Sequence, residues 1–362
     1  MVNSKRLQSL DILRGITVAG MILVNNGWGE SFEMLRHSRW NGMTPCDLVF
    51  PFFLFIMGIS CYLSLVKSEF KPTVTVLRRI LKRAVLLFLI GLLIHWLDGA
   101  LDGDYGLSHL RIMAVLQRIA LCYLAVSLFA VYCNHRYTLP VATGLLVVYT
   151  AILLLGNGYA EDATNVLAQF DLRVLGYDHV YHKSPVDPEG LLGTIPSIAH
   201  VLLGFYCGRL IRQRETVEQK VIAVFVMGTV LVLLGYLLSY GLPLNKRIWS
   251  PSYVLMTCGL ASLLQALLIS EELRVKSSSG SLFTLHSSFF KVFGMNALAL
   301  YVSSELLAIL LGHFGVSEWV YNGIHALIPV AKWASLAYAL YFVLLNFALG
   351  YVLYRKKIFI KL

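Results

Sequence analysis

Ten apolar stretches, each near the length of a membrane-crossing helix, set the main constraint on this chain: 10–27, 46–66, 80–97, 112–133, 138–156, 190–211, 220–240, 251–270, 289–311 and 334–354. A helix needs roughly 20 apolar residues to cross the hydrocarbon core of a bilayer. Only helices and closed barrels satisfy their own backbone groups there. The expected fold is therefore all-α: a polytopic bundle of about ten transmembrane helices, one domain over residues 1–362. Composition supports this. Hydrophobic residues make up 57% of the chain and charged residues 14%, with a mean hydropathy of +0.70, against about 25% charged in a soluble domain. Disordered chains, disulfide scaffolds and nucleic-acid binders are excluded on that ground. Pro51, Pro196, Gly58 and Gly204 fall inside spans, where neighbouring helices or water can satisfy the freed backbone.

The net charge of +10 reads first as topology, because Lys and Arg collect on the cytoplasmic side of short loops. The N-terminus, the C-terminus and every second loop carry 20 Lys and Arg, and the other loops carry 8. Both termini are thus expected in the cytoplasm. Segments 28–45, 157–189 and 241–250 are expected outside. The start, MVNSKRLQSL, has no long apolar run and no small-residue cleavage site, so the first span is expected to act as the insertion signal. The six cysteines (46, 61, 122, 133, 207, 258) lie in or beside apolar stretches without a CxxC pair and read as core residues, not metal ligands. Gly204 and Gly208 form a small-xxx-small pair, a feature of close helix packing that also suits a homodimer.

Charges inside a bilayer need a partner or a function. Asp11 and Arg14 share one helix face as a local ion pair or as part of a site. Asn25 and Asn26 end the first span, as caps or as site groups. His37 stands between Arg36 and Arg39, close to Trp40, in a polar outer segment. Imidazole is the side chain suited to proton transfer near neutral pH, though from the chemistry alone an interfacial His beside an aromatic belt is the more ordinary reading. Asp47 opens the second span, where the helix dipole favours an acid. Arg111 can snorkel; Arg118, on the same helix face and about 10 Å deeper, calls for a counter-charge or an anionic ligand. Glu305 can relay protons, pair with Arg118 or contact a substrate. Asn245, Lys246, Arg247, Trp249 and Ser252 can stack on and hydrogen-bond a sugar, or serve as interfacial residues. His179 and His182 lack a third metal ligand. No GxxxxGK[ST], strand-linked GxGxxG, HExxH or GxSxG motif occurs.

LDILRGITVAGMILVNN followed by HSRWNGMTPCDLVFPFFLFIMGIS resembles the catalytic start of the heparan-α-glucosaminide N-acetyltransferase family. LRIMAVLQRI, DPEGLLGTIPSI, LNKRIWSPSYV and GMNALALYVSSE follow in the family's order and extend the resemblance over nearly the whole chain. The chain looks like the short bacterial members, without the luminal N-terminal region of the animal enzymes.

The resemblance implies an integral-membrane acetyltransferase that uses acetyl-CoA as co-substrate, needs no metal, and acetylates the amine of an amino sugar or glucosamine-containing glycan on the far side of the membrane. It puts the catalytic positions on His37, Asp47 and one of Asn25 and Asn26. The cations expected to meet the donor are Arg14, Arg78, Arg79, Lys82 and Arg118. Trp40, Glu189, Lys246, Trp249, Asn296 and Glu305 are the expected acceptor contacts. The implied setting is a bacterial inner membrane with the site open to the periplasm, and the implied partners are the acceptor and membrane lipid, with no nucleic acid. A transporter for an amino sugar or oligosaccharide is the alternative, since polar residues in the outer half of a bundle also suit a translocation path.

Overall fold

The computed structural model describes residues 7–277 and 282–360, with side chains outside 273–287. Among these residues every regular element is helical. In chain order the helices are α1 (Gln8–Asn25), α2 (Val49–Leu65), α3 (Val74–Leu101), α4 (Val115–Tyr132), α5 (Thr138–Leu155), α6 (Val166–Leu175), α7 (Thr194–Gln213), α8 (Val217–Ser239), α9 (Pro251–Ser277), α10 (Leu282–Met295), α11 (Ala297–His313), α12 (Val316–Leu327) and α13 (Ala331–Arg355). Eight are long and apolar enough to cross a membrane: α2, α3, α4, α5, α7, α8, α9 and α13. α10 and α11 together give a ninth, and α1, which carries Asp11 and Arg14, is the tenth apolar stretch. The polytopic helical fold expected from the sequence is the fold observed.

The helices sort by burial. Nearly three quarters of the apolar windows of α7 and α9 are buried, against little more than a quarter for α3, α5 and α8. α3 shows why: Val76, Ile80, Ala84, Leu87, Gly91 and Ile94 repeat at helical spacing and form its one packed face. Leu81, Val85, Leu89 and Leu93 on its other side are exposed. α2 and α7 approach until only glycine fits. A Cβ on Gly58 would lie 2.2 Å from the Val201 carbonyl oxygen, and one on Gly204 would lie 2.1 Å from that of Phe55. Gly208 likewise abuts Ile59 and Tyr62. The small-xxx-small pair is therefore used within the chain, in the approach of α7 to α2.

The ninth stretch is not one straight helix. α10 and α11 meet at 83° on either side of Asn296. Arg14 donates to the Gly294 carbonyl at 3.2 Å just before the break. At the break the Asn296 amide donates to Ile358 O at 3.0 Å and accepts from Ile360 N at 2.9 Å. α10 also lies hard against α1, since a Cβ on Gly15 would overlap the Phe290 carbonyl. The two ends of the bundle differ. At one, Ser9 at the start of α1 bonds Glu272 late in α9. At the other, four segments (26–48, 102–114, 156–193 and 240–250) meet over the helix ends.

Candidate active site

Segment 26–48 ends in a capped turn that fixes one carboxylate. Thr44 is the cap of a 3-10 turn over Pro45–Leu48, and Asp47 closes a capping box at its third position. Asp47 Oδ2 accepts from Ser38 N at 3.1 Å and Thr44 N at 3.0 Å, with the Thr44 hydroxyl at 3.1 Å. That saturates Oδ2 and leaves Oδ1 for one strong partner. His37 Nδ1 donates to Oδ1 at 2.7 Å. A carboxylate only accepts, so Nδ1 carries the proton and Nε2 presents its lone pair. Asp47 is fully buried, whereas the His37 side chain is 47% exposed. The pair is anchored on the protein side and open on the other.

Segment 240–250 brings the third member. It is tied down by Gly42 N to Leu244 O at 2.7 Å, Asn245 Nδ2 to Asn41 Oδ1 at 3.2 Å, and Arg247 Nε to Arg39 O at 3.1 Å. Lys246 Nζ is thereby placed beside the His37 ring, 3.0 Å from Nδ1 and 3.2 Å from Nε2, and 3.6 Å from Asp47 Oδ1. Burial pushes the Lys246 ammonium below the usual lysine range, while Asp47 and Glu189 pull the other way. Cys46 Sγ lies 3.1 Å from His37 Nδ1, and Tyr253 OH donates to the Asp47 carbonyl at 2.5 Å.

A second cluster borders the first. Arg111 NH2 donates to Asp187 Oδ1 at 2.7 Å and to Glu189 Oε2 at 2.9 Å, with its guanidinium 4.5 Å from the Tyr181 ring centroid. Arg111, which the sequence allowed to snorkel, is thus ion-paired with Asp187 and Glu189. Asn25 Nδ2 donates to Glu305 Oε1 at 3.4 Å, whereas Asn26 Nδ2 turns back onto its own helix at Ile22 O, 2.8 Å.

The structure separates other residues that the sequence grouped. Trp249 is completely buried, wedged between Phe50, Tyr253 and His200 with the Arg118 guanidinium over its ring at 5.3 Å. It has no free face for a sugar; its left-handed backbone (φ 54°) makes it the keystone of the 240–250 turn. Trp40 is also buried and donates its indole N–H to Tyr159 O at 3.0 Å. Arg118 is occupied by the carbonyls of Pro188 (2.7 Å) and Gly190 (2.9 Å). It needs no anionic ligand, because the turn before α7 supplies its acceptors. Asn296 binds the 358–360 segment rather than lining the His37 site. Arg14 is held by Asp11, Ser60 Oγ and Gly294 O. Arg78, Arg79 and Lys82 are exposed on the first half of α3. Five cysteines are buried and Cys133 is exposed; all six are free.

Asp47, His37 and Lys246 make a carboxylate–imidazole–ammonium array open to one face, suited to accepting a proton at Nε2 or to nucleophilic attack from it. Comparison with known proteins bears on the chemistry such an array serves. Residues 6–242, which include His37 and Asp47, match the family described as "Heparan-alpha-glucosaminide N-acetyltransferase, catalytic". Human heparan-alpha-glucosaminide N-acetyltransferase is 30% identical over 99% of the chain, and the mouse protein 27% identical over 99%. The chain spans about 60% of the length of these relatives. The match extends over α1 to α8 and the His37 segment, and the chain belongs to the heparan-alpha-glucosaminide N-acetyltransferase family.

Proposed function

We propose that the protein is a membrane acetyltransferase that moves an acetyl group from acetyl-CoA to the amine of an amino sugar or glucosamine-containing glycan. The observation that carries this reading is the short Asp47–His37 hydrogen bond, made by a half-exposed imidazole beside Lys246. In the direct route Nε2 takes a proton from the acceptor amine as its nitrogen attacks the thioester carbonyl. The C–N bond forms, the C–S bond breaks, and the proton passes to the departing CoA sulfur. In the two-step route Nε2 itself attacks the carbonyl: the N–C bond forms, the C–S bond breaks and CoA leaves as the thiolate; the amine then attacks the acetyl-imidazolium, its C–N bond forms as the Nε2–C bond breaks, and the amine proton passes by way of Nε2 to the thiolate. In either route Asp47 holds the tautomer and Lys246 supplies positive charge near the oxyanion of the tetrahedral intermediate. Asn25, the member of the asparagine pair that faces Glu305 across to α11, is the asparagine of the site.

The charge asymmetry of the loops supports a donor reaching the site from the cytoplasm and an acceptor outside, in an inner membrane. The exposed cations Arg78, Arg79 and Lys82 on α3 are then placed to attract the donor's phosphates.

The test is release of CoA thiol by purified protein given acetyl-CoA with and without glucosamine. Amine-dependent release that His37→Ala abolishes is the expected result. Release that survives His37→Ala removes the array from the mechanism. Absence of both release and acetyl-CoA binding returns the transporter reading. Radiolabel retained on protein given donor alone, and lost in His37→Ala, selects the two-step route.

A further inference from the structure

The 240–250 turn delivers a primary amine to the His37 ring. Lys246 Nζ stands 3.0 Å from Nδ1 and 3.2 Å from Nε2, and 3.6 Å from Asp47 Oδ1. A nitrogen that near to both ring nitrogens lies off the ring plane, because in the plane it would collide with the ring carbons. Lys246 thus leaves the in-plane lone pair of Nε2 uncovered. A counter-charge to Asp47 alone would sit against the carboxylate, yet Nζ is closer to both ring nitrogens than to Oδ1. The Lys246 side chain is 13% exposed and the imidazole 47%. A group brought up to the ring is brought up to Nζ as well.

Its surroundings favour reactivity. Burial pushes the Lys246 ammonium below the usual lysine range, against the pull of Asp47 and Glu189, which raises the share of neutral amine at a given pH. The segment that carries it is pinned on both sides, by Gly42 N to Leu244 O and by Arg247 Nε to Arg39 O. The amine is therefore presented in place rather than loose. Cys46 is the other nucleophile at the ring. Its Sγ lies 3.1 Å from Nδ1, whose proton goes to Asp47, and 3.8 Å from Nε2, and the residue is 1% exposed. Of the two, Lys246 is the one set beside the basic nitrogen and open to an incoming acyl group.

We propose that Lys246 is a self-acetylation site: without an acceptor, its Nζ takes the acetyl group of the donor thioester, and the site is shut. The proposal rests on the acetyltransferase reading. After the ammonium has lost one proton to water, neutral Nζ attacks the thioester carbonyl. The N–C bond forms, the C–S bond breaks, and a proton from Nζ passes by way of Nε2 to the departing CoA thiolate. An amide on Lys246 and free CoA thiol result. The amide is uncharged, so the positive charge near the oxyanion is lost. Its acetyl group lies against the ring edge that the acceptor amine must approach. An amide is a far poorer acyl donor than a thioester, so the group is not passed on. An acceptor amine competes for the same thioester and protects the lysine, which ties the working state of the enzyme to the supply of acceptor.

The experiment gives purified protein acetyl-labelled acetyl-CoA, with and without glucosamine. Peptide mass spectrometry then locates the label after hydroxylamine, which discharges acetyl-imidazole and thioesters but not a lysine amide. With donor alone, Lys246 is expected to gain label about tenfold or more faster than exposed Lys71 and Lys183. Glucosamine is expected to suppress that labelling, and His37→Ala to slow it about 10²-fold or more. The initial rate of transfer is expected to fall with time of exposure to donor alone, in step with the label on Lys246. Lys246→Arg keeps the charge without the acceptor nitrogen, and is expected to show no such time-dependent loss, whatever its starting rate. Label on Lys246 no faster than on Lys71, label that glucosamine leaves unchanged, or the same loss in Lys246→Arg overturns the self-acetylation. Label discharged by hydroxylamine belongs instead to the two-step route through His37. Amine-dependent CoA release with no amide on Lys246 overturns the self-acetylation and leaves the acetyltransferase reading standing. No CoA release under any condition removes that reading, and the self-acetylation with it.

Discussion

Asp47 shows how one side chain can both hold a turn and orient a neighbouring imidazole. Its Oδ2 organises Ser38 and Thr44, and its Oδ1 orients His37. An asparagine cannot do both: with its oxygen toward His37, its NH2 meets two backbone N–H donors. Asp47→Asn is therefore expected to lower kcat about 10²-fold or more and to cost about 1–3 kcal/mol of stability through the misfit donors. His37→Ala is expected to lower kcat by about 10²–10⁴-fold with little change in thermal stability, because the ring is half exposed. CoA-release kinetics and melting of the detergent-solubilised variants separate the two effects. Asp171 makes a prediction in pH. Its carboxyl titrates near 6 in the folded chain and near 3.8 when unperturbed. Below that lower value both states are protonated and stability is at its full value. Between the two values the unfolded chain releases the proton first, so stability falls as pH rises, and above about 6 the loss is complete, at most about 3 kcal/mol. In melting curves from pH 4 to 7.5, Asp171→Asn is expected to flatten this slope; an unchanged slope would put its source elsewhere. His37 and Asp47 stand ten residues apart within one quoted motif, so the sequence could bring them together. The Lys246–His37 contact joins positions 209 apart, and the burial of Trp249 depends on α2, α4 and α7 closing around it. Local patterns carry neither.

At the scale of elements, the apolar stretches were legible because hydrophobic length is a property of consecutive residues. The bend at Asn296 was not, because its cause is distant: the 358–360 segment bonds the Asn296 amide, and the Gly15–Gly294 contact draws α10 against α1. Gly204–Gly208 was visible as a motif, but only the structure shows which helix it receives. Glycine at these sites is set by backbone contact. A methyl on Gly58 or Gly204 meets a carbonyl oxygen of the facing helix, and neither backbone can turn aside as a flexible side chain could. Gly58→Ala and Gly204→Ala are each expected to lose about 1–3 kcal/mol or more through overpacking, seen as lower melting temperature and poorer yield. Gly144→Ala on α5 has nothing within 4 Å of the new methyl. It is expected to be neutral or to stabilise by up to about 1 kcal/mol from helix propensity. If all three behave alike, the α2–α7 approach is not what these glycines serve.

For the molecule as a whole, the decisive property is which face His37 opens to, since a transfer across the bilayer requires donor and acceptor to arrive from opposite sides. The loop charges place 20 Lys and Arg on one side and 8 on the other, and the fold supplies natural reporters at both ends. α4 runs from the Arg111 end, beside the candidate site, to Cys133 about 27 Å away along its axis. Cys133 is the exposed cysteine; the other five are buried. Tyr105, 73% exposed in the loop before α4, lies at the opposite end of that helix. In intact cells a membrane-impermeant maleimide is therefore expected to leave Cys133 unmodified and to label Tyr105→Cys in a Cys133→Ser background. Inside-out vesicles are expected to reverse the pattern. The reversed pattern in intact cells would turn the His37 face toward the cytoplasm. The reaction would then need no passage of the acetyl group through the bundle, and Arg78, Arg79 and Lys82 on α3 would lose their place in donor capture. The labelling thus distinguishes a transmembrane transfer from an ordinary cytosolic one without relying on activity, because it reads only which helix ends face which solution.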